Sequence, residues 1–315
     1  MPYLTISDQT TPPLRIFYLD QGPPTSQPML LIHGLGCDLH DWSWQIPLLL
    51  SLGYRVISSD LRGHGKSSGP HPTLPLPPTW PGPEALSNGP ILDYYPQSLA
   101  HDQIRLLDHL SISESEKVLV IGHSLGSTIS YYLYTTFPDR VKGLVTIDPF
   151  HNQTNEMRDP IVGMFDSDGE YTLVEWFTKY GYIDMSPPPE EWYTTWHARR
   201  VLTTESQVMR GLAWGGFEAK DSLGRRENAA LCYLTGGKEG LQCPFLAVGA
   251  GEQNLILERE MLKSKGNKLD EVVVLARGGH WLHQGHKAGE FNKILEGWLR
   301  KGEFLPDSVG GRPGF

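Results

Sequence analysis

The chain has 315 residues, 39% hydrophobic and 20% charged, with a formal net charge of −9, and that length suits one large domain or one domain carrying an insertion. The acidic balance, with no basic stripe, argues against nucleic acid or an anionic membrane as a partner, and no apolar run approaches the roughly 20 residues of a membrane helix. Cys37, Cys232 and Cys243 lack the paired spacing of a zinc site and read as reduced thiols of a cytosolic protein, while the first five residues show no basic region followed by an apolar core, so no secretory signal is expected.

In chain order, residues 3–7 and 14–19 read as an antiparallel hairpin. Residues 29–32 are a short buried strand running into His33-Gly34-Leu35-Gly36. A glycine-flanked loop at the carboxyl end of a strand can offer a free backbone amide, and His33 is expected to hold that loop rather than act as a base. A helix over 42–52 and a strand over 54–59 follow, closed by Asp60-Leu61-Arg62-Gly63-His64-Gly65-Lys66-Ser67. Residues 70–96 hold nine prolines in 27 positions, which rules out helix or central strand. The segment reads as a surface insertion or as a flap at a site's mouth. Ser98 is expected to cap a helix to 110, with Ala100, Ile104 and Leu107 on its inner face.

Residues 117–121 form a β-branched, apolar run fit for the inside of a sheet. Leu125, Ile129, Tyr132, Leu133 and Thr136 then repeat as one helix face. Between them Gly122-His123-Ser124-Leu125-Gly126 fits G-x-S-x-G. A residue held in a strained turn needs neighbours without a bulky Cβ two positions away on each side. Such a turn presents a serine hydroxyl at its tip, with the amide of Leu125 and the positive end of the following helix aimed at the same spot. Ser124 is therefore the candidate nucleophile, against the plainer reading of a tight turn with an inert serine. Residues 143–147 make another buried strand, ending in Asp148-Pro149. From 150 to 242 the strand–turn–helix rhythm stops, and this stretch carries Trp176, Trp192, Trp196 and Trp214. A strand over 243–249, a helix and a last strand over 271–275 lead to Gly278-Gly279-His280-Trp281. A helix with Phe291, Ile294, Leu295, Trp298 and Leu299 on one stripe closes the chain.

The sequence H-G-L-G after one strand, D-L-R-G-H-G-K-S after the next and G-H-S-L-G after a third, in this order, resembles the α/β-hydrolase superfamily. The resemblance covers most of the chain and is weakest over 70–96 and 150–242. It implies an α/β fold with a mostly parallel eight-stranded sheet and helices on both faces, which the strand–helix alternation also supports. On this reading 1–149 and 243–315 form the core domain and 150–242 an inserted helical cap. Trp192 and Trp196, four apart on one helix, Trp214 and Trp281 are candidates to line a substrate pocket, or plain core of the cap.

A serine hydroxyl needs a base to take its proton and a group to orient that base. His280, behind two glycines after the last strand, is the candidate base, with His283 and His286 as alternatives. In most members of the superfamily the acid follows the seventh strand in a segment like G-x-x-D. Here that segment is Gly249-Ala250-Gly251-Glu252-Gln253-Asn254, with an amide at the place of the aspartate. Some members, including certain haloalkane dehalogenases and the fungal lactonases that open zearalenone, carry the acid at the end of the sixth strand. Asp148 stands there, at the sheet edge where sites of this architecture lie, and is the expected acid, with Glu252 second. The plainer reading of Asp148 is a strand-end turn with Pro149. The amides of Leu35 and Leu125 would form the oxyanion hole, with Gly34 allowing close approach. No metal, nucleotide loop or covalent cofactor is expected. The reaction expected is hydrolysis of an ester or lactone of a fairly apolar small molecule. Alternatives on the same site are C–C bond hydrolysis of a vinylogous diketone, perhydrolase activity, or a small-molecule receptor. A serine at the elbow disfavours epoxide hydrolysis and dehalogenation, which use an aspartate there.

Overall fold

The protein is described from a computed structural model covering residues 2–6, 13–69, 94–149, 174–175, 177, 181–213, 215–216, 222, 224–225, 228, 241–262 and 267–306. Eight strands, β1 Tyr3–Ile6, β2 Leu14–Gln21, β3 Pro28–Ile32, β4 Arg55–Ser59, β5 Val118–His123, β6 Val141–Ile147, β7 Phe245–Gly249 and β8 Glu271–Val274, make one sheet in the order β1-β2-β4-β3-β5-β6-β7-β8. The pairs β1–β2 and β2–β4 are antiparallel. Every other pair is parallel, so the carboxyl ends of β3, β5, β6 and β7 lie on one side. Every residue of β3, β4, β5 and β7 is buried, as expected of strands covered on both faces.

The covers are helical. On one face Leu99 and Leu107 of α2 (Pro96–His109) and Ile129 and Leu133 of α3 (Leu125–Thr136) pack on Leu30 and Val120. On the other, Leu49 of α1 (Ile46–Ser51) and Phe291, Leu295 and Trp298 of α7 (Ala288–Lys301) pack on Leu31 and Ile121. The mostly parallel eight-stranded α/β sheet of the sequence reading is the observed one.

Three local expectations change. The helix expected from 42 begins at Ile46, because Leu39–Trp42 closes as a 3₁₀ turn capped by Asp38 on the His40 amide and Pro47 opens the next helix. The helix expected to be capped by Ser98 starts at Pro96, with Tyr95 as its N-cap. Proline's fixed φ suits the first turn. Helix α3 is buried from Leu125 through Tyr134 rather than along one stripe, because α2 and the sheet enclose it.

Between β6 and β7 lie α4 (Glu191–Leu202) and α5 (Ser206–Ala213). Val201, Met209 and Ala213 from them cluster with Cys37, Phe177 and Trp281. Helix α6 (Ile256–Leu262) follows β7. The expectations for residues 70–93, Trp176, Trp214 and Cys232 lie outside the described residues. Among the described residues no helix is long and apolar enough to cross a membrane.

Candidate active site

Ser124 sits between β5 and α3 with φ 53° and ψ −117°, a backbone conformation that non-glycine residues adopt rarely and at a cost. The flanking glycines are required by space. A Cβ on Gly122 would run into the Gly126 carbonyl, and one on Gly126 into the Ile32 carbonyl. The turn is then pinned by Ser124 N–H to Ile147 O at 2.9 Å and by Ser127 Oγ to Gly122 O at 2.8 Å. Leu125 begins α3, so its amide belongs to the unsatisfied first turn, where partial positive charge collects.

The loop after β3 lies against this turn. A Cβ on Gly34 would fall 3.2 Å from Ser124 Cβ and 3.0 Å from His123 Nδ1. His33 Nδ1 donates to Gly34 O at 2.8 Å, and its Nε2 accepts from the Leu61 amide at 2.9 Å. It holds the loop, as expected. The D-L-R-G-H-G-K-S stretch is the scaffold on the other side. His64 donates from Nδ1 to Arg62 O at 3.1 Å and accepts at Nε2 from the Gly36 amide at 3.2 Å. Burial, with His33 adding, pushes its pKa down to about 3, so the ring is neutral and able to do both. Asp60 accepts from the Leu39 and Lys66 amides at 2.9 and 2.8 Å. Arg62 forks onto the buried Asp102 at 2.7 and 2.6 Å, tying the stretch to α2.

His280 Nδ1 lies 2.6 Å from Asp148 Oδ2, within the range of a short, charge-assisted hydrogen bond. Asp148 ends β6 with φ 41° and is buried. Its other oxygen accepts from the Ala250 amide at 2.9 Å and from Asn254 Nδ2 at 2.8 Å. Burial works against the charge, but His280 and these two donors outweigh it and hold the carboxyl below the usual range. Glu252 points elsewhere. It is exposed and forks with Arg259 at 2.6 and 2.8 Å. His283 is buried against Trp42 and Phe291, and His286 is exposed. Neither shares the Asp148 carboxylate among the described contacts.

The tryptophan expectations divide. Trp281 is buried, with its ring centroid 5.4 Å from His280, 5.7 Å from Phe177, 5.3 Å from Tyr182 and 4.0 Å from His197. Trp196 packs edge-on against Trp44 at 5.8 Å and lies 3.9 Å from the Arg200 guanidinium. Trp192 is a correction: it is 56% exposed, and its indole donates to Glu190 at 2.7 Å. The inward face of α4 is set by Tyr193, His197, Arg200 and Val201, spaced 4, 3 and 1 apart, and Trp192 falls off it. Trp214 lies outside the described residues.

Two features escaped the sequence reading. One is Asn254 as a donor to Asp148. The other is a buried network around Asp41, whose Oδ1 lies 2.5 Å from Arg200 Nη1. The only sequence sign of the second was the spacing of Arg200 with His197 and Tyr193. Cys37, Asp41 and His123 bring ligand atoms within 4.8 Å of one another. Arg200 already supplies the positive charge there, and burial, with Asp41 adding, pushes the Cys37 thiol well up, whereas metal ligation needs the thiolate. The residues do not fit a metal.

A family model described as alpha/beta hydrolase fold matches residues 27–286. The (E)-2-((N-methylformamido)methylene)succinate hydrolase of Acinetobacter baylyi is 24% identical over 291 residues, covering 90% of this chain and 93% of its own. Among solved structures, a carboxylesterase of Nitrososphaera gargenis superposes with a TM-score of 0.71 at 22% identity, over 96% of this chain and 99% of its own. The enol-lactonase of Burkholderia xenovorans LB400 does so with a TM-score of 0.68 at 20% identity, over 95% and 100%. At those identities the two structures speak for the fold.

Proposed function

The chain belongs to the α/β-hydrolase family, and from that premise we propose that it is a serine hydrolase that cleaves a carboxylic ester or lactone of a fairly apolar small molecule through an acyl-enzyme. Hydrolysis is the coarser statement, supported by the family and the relatives. The observation that carries the finer one is the 2.6 Å contact of His280 with Asp148, on the loop facing the strained elbow of Ser124.

In this reading His280 takes the Ser124 proton as the hydroxyl attacks the carbonyl carbon, and Asp148 fixes the imidazole and stabilises the imidazolium that forms. The Leu35 and Leu125 amides meet the oxyanion, each such donor contributing roughly 3–4 kcal/mol to the transition state. His280 then protonates the leaving alkoxide, and water, deprotonated by the same ring, releases the acid. Residues 150–242 act as a helical cap over a core of 1–149 and 243–315. Trp281, Phe177, Tyr182, Leu35 and Met209 offer the substrate apolar surface. Cys37 and Cys243 are buried and not joined in a disulfide, which accords with a reducing cytosolic setting.

The test pairs turnover on a panel of aryl esters with mass mapping after an organophosphonate. The expected result is turnover lost in Ser124→Ala and one adduct on Ser124. An adduct elsewhere, or an active alanine variant, removes the serine-hydrolase reading. No turnover and no adduct in the wild type would leave a binding protein on this scaffold.

A further inference from the structure

Beneath the elbow lies a second carboxylate–imidazole couple that the reaction above does not use. Asp41, on the 3₁₀ turn after β3, is fully buried. Its Oδ1 accepts from Arg200 Nη1 at 2.5 Å and Gln284 Nε2 at 2.9 Å, and its Oδ2 lies 3.3 Å from His123 Nδ1. The other nitrogen of His123 reaches the backbone carbonyl of His280 at 3.1 Å. A carbonyl only accepts, so that contact needs an N–H on His123 Nε2. Burial lowers the pKa of this ring and favours its neutral form, in which Nδ1 then carries no proton and lies beside Asp41 without donating to it. The His123 ring also lies against that of His280, tilted by 46° with 4.8 Å between centroids. Thus the residue before the nucleophile holds the backbone of the base.

The same couple is tied to α4. Gln284, four residues after His280, accepts at Oε1 from Tyr193 Oη at 3.2 Å and His197 Nε2 at 3.0 Å. Tyr193, His197 and Arg200 occupy one face of that helix, so three successive turns bond to Asp41 or Gln284. Burial works against the charge of Asp41, but Arg200 outweighs it and holds its carboxyl well below the usual range. A buried carboxylate so compensated is costly to separate from its partners.

We propose that His123, packed beside Asp41, is a positioning residue that fixes the His280 backbone, and that Arg200 makes α4 a docked part of this assembly rather than a free lid. The inference rests on His280 being the base. The geometric margin is small: a displacement of about 1 Å at the reacting groups can cost about 100-fold.

His123→Phe and His123→Gln separate positioning from packing. Phenylalanine keeps the ring volume without an N–H, and glutamine keeps a donor with a different shape. Each is assayed for kcat and KM on an aryl ester, per phosphonate-titrated Ser124. The expected result is kcat down about 10–100-fold in the phenylalanine variant, KM little changed, and most of kcat regained with glutamine. Phenylalanine at wild-type kcat, or glutamine as poor as phenylalanine, overturns the proposal. Nitrogen-15 NMR of histidine-labelled wild type gives an answer independent of variant folding: Nε2 of His123 must carry a proton at the pH of turnover, and a bare Nε2 overturns the proposal. A wild type that neither turns over aryl esters nor takes the phosphonate refutes the hydrolase reading instead, and is told apart by that control.

Discussion

The side-chain amide of Asn254 donates to the carboxylate of Asp148 at 2.8 Å. Asp148 directly follows β6, and Asn254 lies in the 3₁₀ turn Glu252–Asn254 after the adjacent parallel strand β7. Asn254 falls where the acid is expected in most α/β hydrolases, and Asp148 where a minority carry it. The amide therefore does not replace the carboxylate. It reaches across to it, and with the Ala250 amide leaves the second oxygen of Asp148 for His280.

That arrangement makes Asn254→Asp informative. A second carboxylate against Asp148 would raise the pKa of one of the two by like-charge repulsion and take a donor from the first. Turnover of an aryl ester at pH 7 is expected to fall further in Asn254→Asp than in Asn254→Ala, which removes one hydrogen bond without adding charge. An aspartate variant at or above wild-type rate would mean that the β7 position can serve as the acid by itself.

The elbow predicts a contrast between two glycines. A Cβ at Gly126 meets the backbone carbonyl of Ile32, whereas one at Gly297 of α7 meets nothing. Gly126→Ala is expected to destabilise the protein by about 1–3 kcal/mol, the usual range for overpacking, with loss of phosphonate labelling. Gly297→Ala is expected to stabilise by about 0.5–1 kcal/mol through helix propensity. Denaturant midpoints of the two variants check both signs, and equal shifts would contradict the steric account of the elbow.

Acid stability should report Asp41. Its carboxyl is held well below the ordinary range in the folded chain, so its contribution is full above the unfolded value of about 3.9 and is lost as pH falls through the lower folded value. Asp41→Asn leaves Arg200 only the partly exposed Asp38 at 3.5 Å as a charge partner and is expected to cost about 3 kcal/mol at pH 7, the low end for breaking a buried pair. The gap to wild type should be the same at pH 7 and pH 5 and should narrow below about pH 4. Urea unfolding at those pH values measures it. A gap unchanged at pH 3 would mean that shape, not charge, holds the site.

The sheet was legible because buried parallel strands are continuous apolar runs, as in residues 28–32 and 245–249, and the elbow because G-x-S-x-G has a steric cause. The approach of Asp148 to His280 was legible from the place of Asp148 at the end of β6. The bond from Asn254 was not, since sequence places two strand ends near each other without saying which way an amide turns. Trp192 was misplaced because a 3.6-residue period does not say which of two adjacent residues, Trp192 or Tyr193, faces inward. Asp41, Arg200 and Gln284 lie 159 and 84 residues apart in the chain, and local periodicity carries no sign of a contact so distant. The helix start at Pro96 was within reach, since proline in a first turn is a sequence signal as strong as the serine at 98.

The most direct test of the site is kcat/KM on one aryl ester for the wild type, Asp148→Asn and Glu252→Gln, each normalised to phosphonate-titrated Ser124 and checked for an unchanged unfolding midpoint. Asp148→Asn removes the charge that stabilises the imidazolium of His280 and can select the wrong tautomer, a change that cost about 10⁴-fold in the serine-protease precedent. Among the described residues Glu252 forks only with the exposed Arg259, so its glutamine variant is expected to stay within about threefold of wild type, as surface substitutions usually do. Loss by several orders of magnitude in Asp148→Asn alone is the expected result. A near-normal rate in Asp148→Asn with loss in Glu252→Gln would contradict the assignment and place the acid on β7.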